Sequence, residues 1–237
     1  MAYNLTHVES MDTVRERGSA GPSADLRQAA RQERMAKVVR KRTRYITVVL
    51  ENIHHPHNAS AVLRTCDSFG IQDLHIVEID NEFVPVGGIA RGAAKWLTLH
   101  HYGAATEKSA TGDCFRQLRD RGYTIAVAVP EAEGVPVARL PLDQKIALCF
   151  GSEKRGLSAE AYAGADMRVH VPMVGFTESL NLSVAVAVAL YELTNRLRSS
   201  ELPWQLTAAE RRDLTLDWLL KQGREAERLL AHFFREH

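Results

Sequence analysis

At 237 residues the chain is long enough for one large domain or for one domain with appendages. Hydrophobic content of 45% and charged content of 25% are ordinary for a globular soluble protein, and a net charge of +1 names no partner by itself. Cys66, Cys114 and Cys149 lie far apart with no Cys-x-x-Cys, which excludes a disulfide framework and a zinc-finger site and fits a reducing compartment.

Residues 1–22 are polar, with Gly18, Ser19, Gly21 and Pro22 close together, and read as a loose arm. They hold Glu9, Asp12, Arg15, Glu16 and Arg17 and no apolar leader run. The longest apolar run, Val184–Tyr191, is far too short to span a membrane, so the cytoplasm is the expected compartment. From Ser23 to Arg44 the pattern turns helical. Between residues 27 and 44, Arg27, Arg31, Arg34, Lys37, Arg40, Lys41, Arg42 and Arg44 stand against Glu33 alone. A solvated helix face is the plain reading. Such segregation on a nearly neutral chain favours a polyanion, and nucleic acid is the expected partner.

Tyr45–Glu51 (YITVVLE) is β-branched and apolar, a buried strand. A loop with Pro56 follows, then a helix expected to be capped by Asn58 and stopped by Gly70. Further strands are expected at Leu74–Ile79, Trp96–Tyr102, Tyr123–Val129, Ile146–Phe150 and Arg168–Val171, with a helix near Asp113–Arg121 and a short one from Ser158. A turn at Gly175 delivers Ser179, Asn181 and Ser183 to the mouth of an apolar helix, Val184–Leu197. Thr207-Ala-Ala-Glu210 reads as a capping box opening a helix to about Lys221, with a last helix to about Phe234. Leu214, Trp218, Leu219, Leu229, Leu230, Phe233 and Phe234 are expected to bury one face of this pair. Alternating strands and helices give an α/β domain with a mostly parallel sheet, whose ligands sit beyond the carboxyl ends of the strands. Loops 52–58, 151–156 and 174–181 leave those ends carrying polar residues.

Several chemistries fall away. Gly151-Ser-Glu-Lys-Arg-Gly156 has the glycine spacing of a phosphate loop, but Leu157 and Ser158 follow where a lysine and a hydroxyl are needed. No Gly-x-Gly occurs, which weakens a Rossmann dinucleotide site and the usual Rossmann-type methyl-donor site. His54, His55 and His57 lack helical spacing and a carboxylate cluster, so no metal is expected. No Gly-x-Ser-x-Gly elbow is present for a serine hydrolase.

Three stretches in order carry a resemblance: His55-Pro-His-Asn-Ala-Ser-Ala-Val-Leu-Arg64-Thr-Cys-Asp-Ser-Phe-Gly70, Phe150-Gly-Ser-Glu-Lys-Arg-Gly156, and Val171-Pro-Met through Ser179-Leu-Asn-Leu-Ser183. Together they resemble the three motifs of the SpoU branch of the SPOUT RNA ribose 2′-O-methyltransferases. The first is most similar to that of the TrmH-type tRNA enzymes. The resemblance covers about residues 45–198, between an N-terminal arm and basic helix (1–44) and a C-terminal helical extension (199–237). It implies an α/β domain ending in a deep trefoil knot, a topology that general connection rules would never propose. It also implies S-adenosylmethionine as cofactor, a homodimer with the active site at the subunit interface, and a 2′-O-methylated guanosine of the tRNA D-loop as product.

By that resemblance Arg64 matches the catalytic arginine, Asn58 the asparagine before it, Glu153 the glutamate of the second motif, and Ser179 and Asn181 the polar pair of the third. Gly151, Val171 and Leu180 match cofactor-holding positions, with Ala128 a further match at a strand end. Arg64 lies among Ala61, Val62, Leu63, Thr65 and Cys66, so it is expected to be buried against a phosphate or Glu153; a structural ion pair is the alternative. Asn58 serves equally as a simple cap. Some relatives act on ribosomal RNA through an extra N-terminal domain, and the 44 residues before the first strand are few for one, which favours tRNA. An rRNA substrate and a non-catalytic RNA-binding scaffold stand as alternatives.

Overall fold

A computed structural model of the chain describes residues 24–90, 92–103, 109–130 and 133–221. The last expected helix, with Leu229, Leu230, Phe233 and Phe234, and the arm at 1–22 lie outside the described residues. The chain parts into two compact units, residues 1–37 and 38–237. Helix α1 (Ala24–Val39) belongs for most of its length to the first and carries an exposed Glu33–Lys37 pair at 2.5 Å.

The second unit is built on β1 (Ile46–Glu51), β2 (Asp73–Glu78), β3 (Thr98–Gly103), β4 (Tyr123–Ala128), β5 (Val135–Pro136), β6 (Lys145–Phe150) and β7 (Met167–His170). Among the described residues these form one sheet in the order β3-β2-β1-β6-β4-β7-β5, with every pairing parallel. Every residue of β1 is buried, as befits a central strand covered on both faces. Alternate side chains therefore feed two cores. Val48 and Leu50 point to the layer holding α2 (Pro56–Phe69) and α6 (Leu182–Arg198). Val49 points to the layer with α4 (Ala110–Asp120) and α5 (Ala159–Ala163). The three cysteines are buried thiols with raised pKa values; burial pushes Cys66 up to about 12.

The six expected strands are present to within a residue or two. The short β5 was not expected, nor were a turn of helix at Gly87–Ala90 (α3) and a 3₁₀ turn at Ala93–Trp96. Two apolar residues among turn formers carry too little pattern to mark an edge strand. Helix α7 (Ala208–Leu220) opens on the expected capping box, Thr207 and Glu210 bonding each other's backbone N–H, and buries Leu214, Trp218 and Leu219. Among the described residues no helix is long and apolar enough to cross a membrane.

The strand order places the site. β1, β6, β4 and β7 are consecutive neighbours, so the loops leaving their carboxyl ends stand side by side. These are the segments after Glu51, Phe150, Ala128 and His170.

Candidate active site

The loop after β1 runs through Asn52 to His55, the residue before α2. Asn52 holds a left-handed backbone at φ 55°, and its Oδ1 accepts the N–H groups of Asp80 and Asn81, both at 2.9 Å. The next segment, after β6, folds back on itself, with Ser152 and Gly156 exchanging backbone hydrogen bonds at 2.9 and 2.8 Å. A Cβ on Gly151 would stand 2.3 Å from the Gly156 carbonyl carbon, so only glycine lets the loop close this tightly. Buried Glu51 secures its exit by accepting the Ser158 N–H at 2.8 Å and the hydroxyls of Ser158 and Thr111 at 2.7 and 2.5 Å.

At the mouth the three segments are joined by one row of hydrogen bonds. Asn181 Nδ2 donates to Asn58 Oδ1 at 3.1 Å, and Asn58 Nδ2 donates to Glu153 Oε1 at 2.7 Å. The His54 N–H donates to Glu153 Oε2 at 3.0 Å. Burial pushes the Glu153 carboxyl up, but the bonds from Asn58, from the His54 N–H and from its own backbone, with the nearby His55, outweigh it. The group sits below the ordinary carboxylate range and is an anion at neutral pH.

Beside this row opens a cavity of about 620 Å³. Ala128, Leu148, Phe150, Val169, Ala185 and Ala189 give it an apolar floor, while Glu153, Glu178, Ser179 and Asn181 stand at its polar side. The lining also holds His55, Asn58, Ser152 and His170, so polar and apolar groups are mixed in it, as a ligand with both kinds of surface requires.

The sequence matches the SpoU rRNA Methylase family over residues 45–191. The chain belongs to that family. It is 37% identical over 188 residues to the tRNA (guanosine(18)-2'-O)-methyltransferase of Borreliella burgdorferi, covering 79% of this chain and 84% of that one. Its fold is similar to the crystal structure of the TrmH/SpoU tRNA modifying enzyme of A. aeolicus, with a TM-score of 0.72 and 26% identity over 82% of this chain and 98% of that one. It shares its fold at a TM-score of 0.54 and 20% identity with the SpoU methyltransferase AviRb of Streptomyces viridochromogenes, solved in complex with AdoMet, over 70% of this chain and 62% of that one.

In this SpoU-family chain Asn58, Glu153, Ser179, Asn181, Ala128, Gly151, Val171 and Leu180 all line the cavity. Arg64 does not. It is exposed on α2, outside the cavity lining, and its side chain makes no ion pair with the described residues, which corrects the expectation of a buried arginine meeting Glu153. The small residues around it let α2 pack by its other face, where Val62, Leu63 and Cys66 are buried. Asn58 is not the cap of α2. His55 holds that place and Pro56 opens the helix, leaving the Asn58 side chain for Glu153.

The basic segment also needs correction. Arg42 is 1% exposed; it pairs with Asp67, donates to the Ile71 carbonyl at 3.2 Å and lies over the Trp218 ring at 5.3 Å. Arg44 bonds Asp73 at 3.0 Å and Glu210 at 3.3 Å. Arg42 is thus turned into the unit, and Arg44, partly exposed, is tied to carboxylates within it. Arg31, Arg34, Lys37, Arg40 and Lys41 are exposed, and the Arg27 side chain lies outside the described residues. Sequence reading gave no role to Glu51, noted His54 only among three loop histidines, and placed Ser183 at the helix mouth without a partner. The one signal for Glu51 was a carboxylate ending an otherwise apolar strand.

Proposed function

We propose that this chain is an S-adenosylmethionine-dependent tRNA ribose 2′-O-methyltransferase acting on a guanosine of the D-loop. The observation that carries the reading is the row Asn181–Asn58–Glu153, which joins three distant segments at the rim of one cavity. The relative from Borreliella burgdorferi is named for that reaction and matches over most of both chains.

The cavity fits the cofactor in size and character. Gly151, Val171, Leu180 and Ala128 stand where they would hold it, the loop residues through backbone groups. S-adenosylmethionine supplies, when bound, the methyl sulfonium that drives transfer without a metal. The chain's own task is to hold a ribose hydroxyl in line with that methyl group. Glu153, kept ionised by its donors, favours a cation beside it. Arg64 is that cation, brought by a second copy of the chain. A guanidinium is a poor base, so Arg64 polarises the hydroxyl while bridging a neighbouring phosphate. Ser179 and Asn181 orient the substrate at the cavity mouth.

This reading makes the protein a homodimer. Helices α2 and α6 run side by side, joined by Asn58–Asn181 at their starts and by Phe69 against Tyr191, ring centroids 6.3 Å apart, further along. Arg64 lies along α2 between those two contacts and is exposed, as are Val184, Val188 and Tyr191 on α6 and Val174 and Phe176 on the preceding loop. A second copy covering those apolar residues would bring its arginine to the rim. We also assign the segment from β7 into α6 to a trefoil knot and the protein to the cytoplasm. The exposed cations before residue 42 are assigned to RNA, and α7 to bracing the domain's edge.

The test is transfer of radiolabelled methyl groups to unmodified tRNA and, in a second arm, to ribosomal RNA, followed by mapping of ribose methylation. The expected product is a D-loop guanosine. Arg64→Ala should lower turnover roughly 10²–10³-fold while calorimetry finds cofactor binding retained. Incorporation no higher than in Arg64→Ala would point to a scaffold, transfer to ribosomal RNA alone would move the substrate, and lost cofactor binding would refute the role of Arg64.

A further inference from the structure

Helix α6 begins at Asn181, whose Oδ1 accepts both the N–H and the hydroxyl of Ser183, at 2.9 and 2.7 Å. A backbone N–H can only donate, so the atom facing it must be the amide oxygen. That turns Asn181 Nδ2 toward Asn58, whose Oδ1 receives it at 3.1 Å. Asn58 then has only Nδ2 to offer Glu153, at 2.7 Å. At the far end another obligate donor, the His54 N–H, occupies the second carboxylate oxygen at 3.0 Å. The row Ser183, Asn181, Asn58, Glu153 therefore has a single direction. An N-cap needs only the bond from the Ser183 backbone. The additional bond from the hydroxyl is what a cap alone does not require.

We propose that Ser183 is a positioning residue for ribose methylation: its hydroxyl locks the Asn181 amide, and through it Asn58, so that one N–H stays committed to Glu153. This rests on the methyltransferase reading above. Without the hydroxyl the Asn181 oxygen keeps only the Ser183 N–H, so the orientation of both amides is held less firmly and the reversed arrangement gains population. A reversed Asn58 would put its oxygen against the Glu153 carboxylate and lose the donor that holds the group ionised.

The experiment compares Ser183→Ala and Ser183→Thr with the wild type in two independent readouts. In the first, Ser183→Ala should lower kcat on tRNA about tenfold, the loss of roughly one hydrogen bond, with KM and the Kd for S-adenosylmethionine unchanged. Ser183→Thr, which keeps the hydroxyl, should recover most of it. In the second, carboxyl titration by NMR should find the Glu153 pKa raised in Ser183→Ala and near the wild-type value in Ser183→Thr. A wild-type kcat in Ser183→Ala, an unmoved Glu153 titration, or a Thr variant as impaired as the Ala variant would each overturn the proposal. Should the wild type transfer no methyl group, the functional reading falls, while the Glu153 titration still decides the wiring.

Discussion

The two ends of β1 carry polar clusters of opposite design. At its amino end the charges drawn into the fold are matched: Arg42 with Asp67, Arg44 with Asp73 and Glu210, and the Thr43 hydroxyl donates to the Trp204 carbonyl at 2.7 Å. This end is a clasp that fastens α7 to the start of the sheet, with Trp218 donating from Nε1 to the Trp96 carbonyl at 3.0 Å. At the carboxyl end, the hydrogen bonds to Glu51 and Glu153 come from hydroxyls, an amide and backbone N–H groups. At Glu153 those donors keep the carboxylate charged without cancelling it. Matched charge closes a structure upon itself, whereas unmatched charge at a cavity rim is left for what arrives there.

The largest expected effect breaks the clasp. Trp218 is the largest fully buried side chain among the described residues, and Trp218→Ala leaves both a cavity and Arg42 without its ring. A loss of about 3–5 kcal/mol is expected in urea unfolding, with cofactor affinity of the folded fraction unchanged. Glu153→Gln at the rim should do the reverse, moving the melting temperature by only a few degrees and weakening turnover. If Trp218→Ala abolished cofactor binding in protein that remained folded, the division of labour between the two ends of β1 would be wrong.

A second test sharpens the same contrast among the cations. Arg31, Arg34 and Lys37 are exposed, and the Lys37 pair with Glu33 is a solvent-facing contact of little strength. If they meet phosphates, replacing all three with alanine should lessen the slope of log affinity against log salt by roughly 2–3, at about 0.7–0.9 for each contact. Filter binding of tRNA across a salt series measures it. An unchanged slope would remove this segment from the RNA surface.

Most of the framework was legible because it rests on periodicity and punctuation. The continuous apolar runs of β1 and β6, the stop at Gly70 and the capping box at Thr207 are local signals, and each forms where it was read. The cavity lining was legible through the three motifs, since a parallel sheet gathers the loops at its carboxyl ends. What sequence could not give is direction. Nothing local separates Arg42, turned inward onto Trp218 and Asp67, from Arg40 and Lys41, which face solvent; the partners lie 25 and 176 positions away. Arg64 failed for the related reason that a helix with small residues on several sides does not announce which side the sheet will cover. Asn58 looked like a cap because asparagine before an apolar run usually is one; Pro56 moved the helix start three residues earlier.

The smallest expected effect tests whether the Glu153 donors outweigh its burial. Burial alone would raise the carboxyl pKa and make the folded protein gain stability as the group protonates. The hydrogen bonds act the other way and set the folded value below 4.5. A depressed folded pKa gives a contribution that is fully present above the unfolded value and is lost as pH falls through the folded one. The difference in melting temperature between wild type and Glu153→Gln should therefore be flat from neutral pH down to about 5.5 and shrink below about 4.5. Asp73 and Glu210, also held low, titrate in both proteins and cancel in that difference. A difference that instead grew in favour of the wild type as the solution turned acid would mean that desolvation governs Glu153. The rim would then hold a neutral acid with a proton to give, and Arg64 of a second copy would find no anion there.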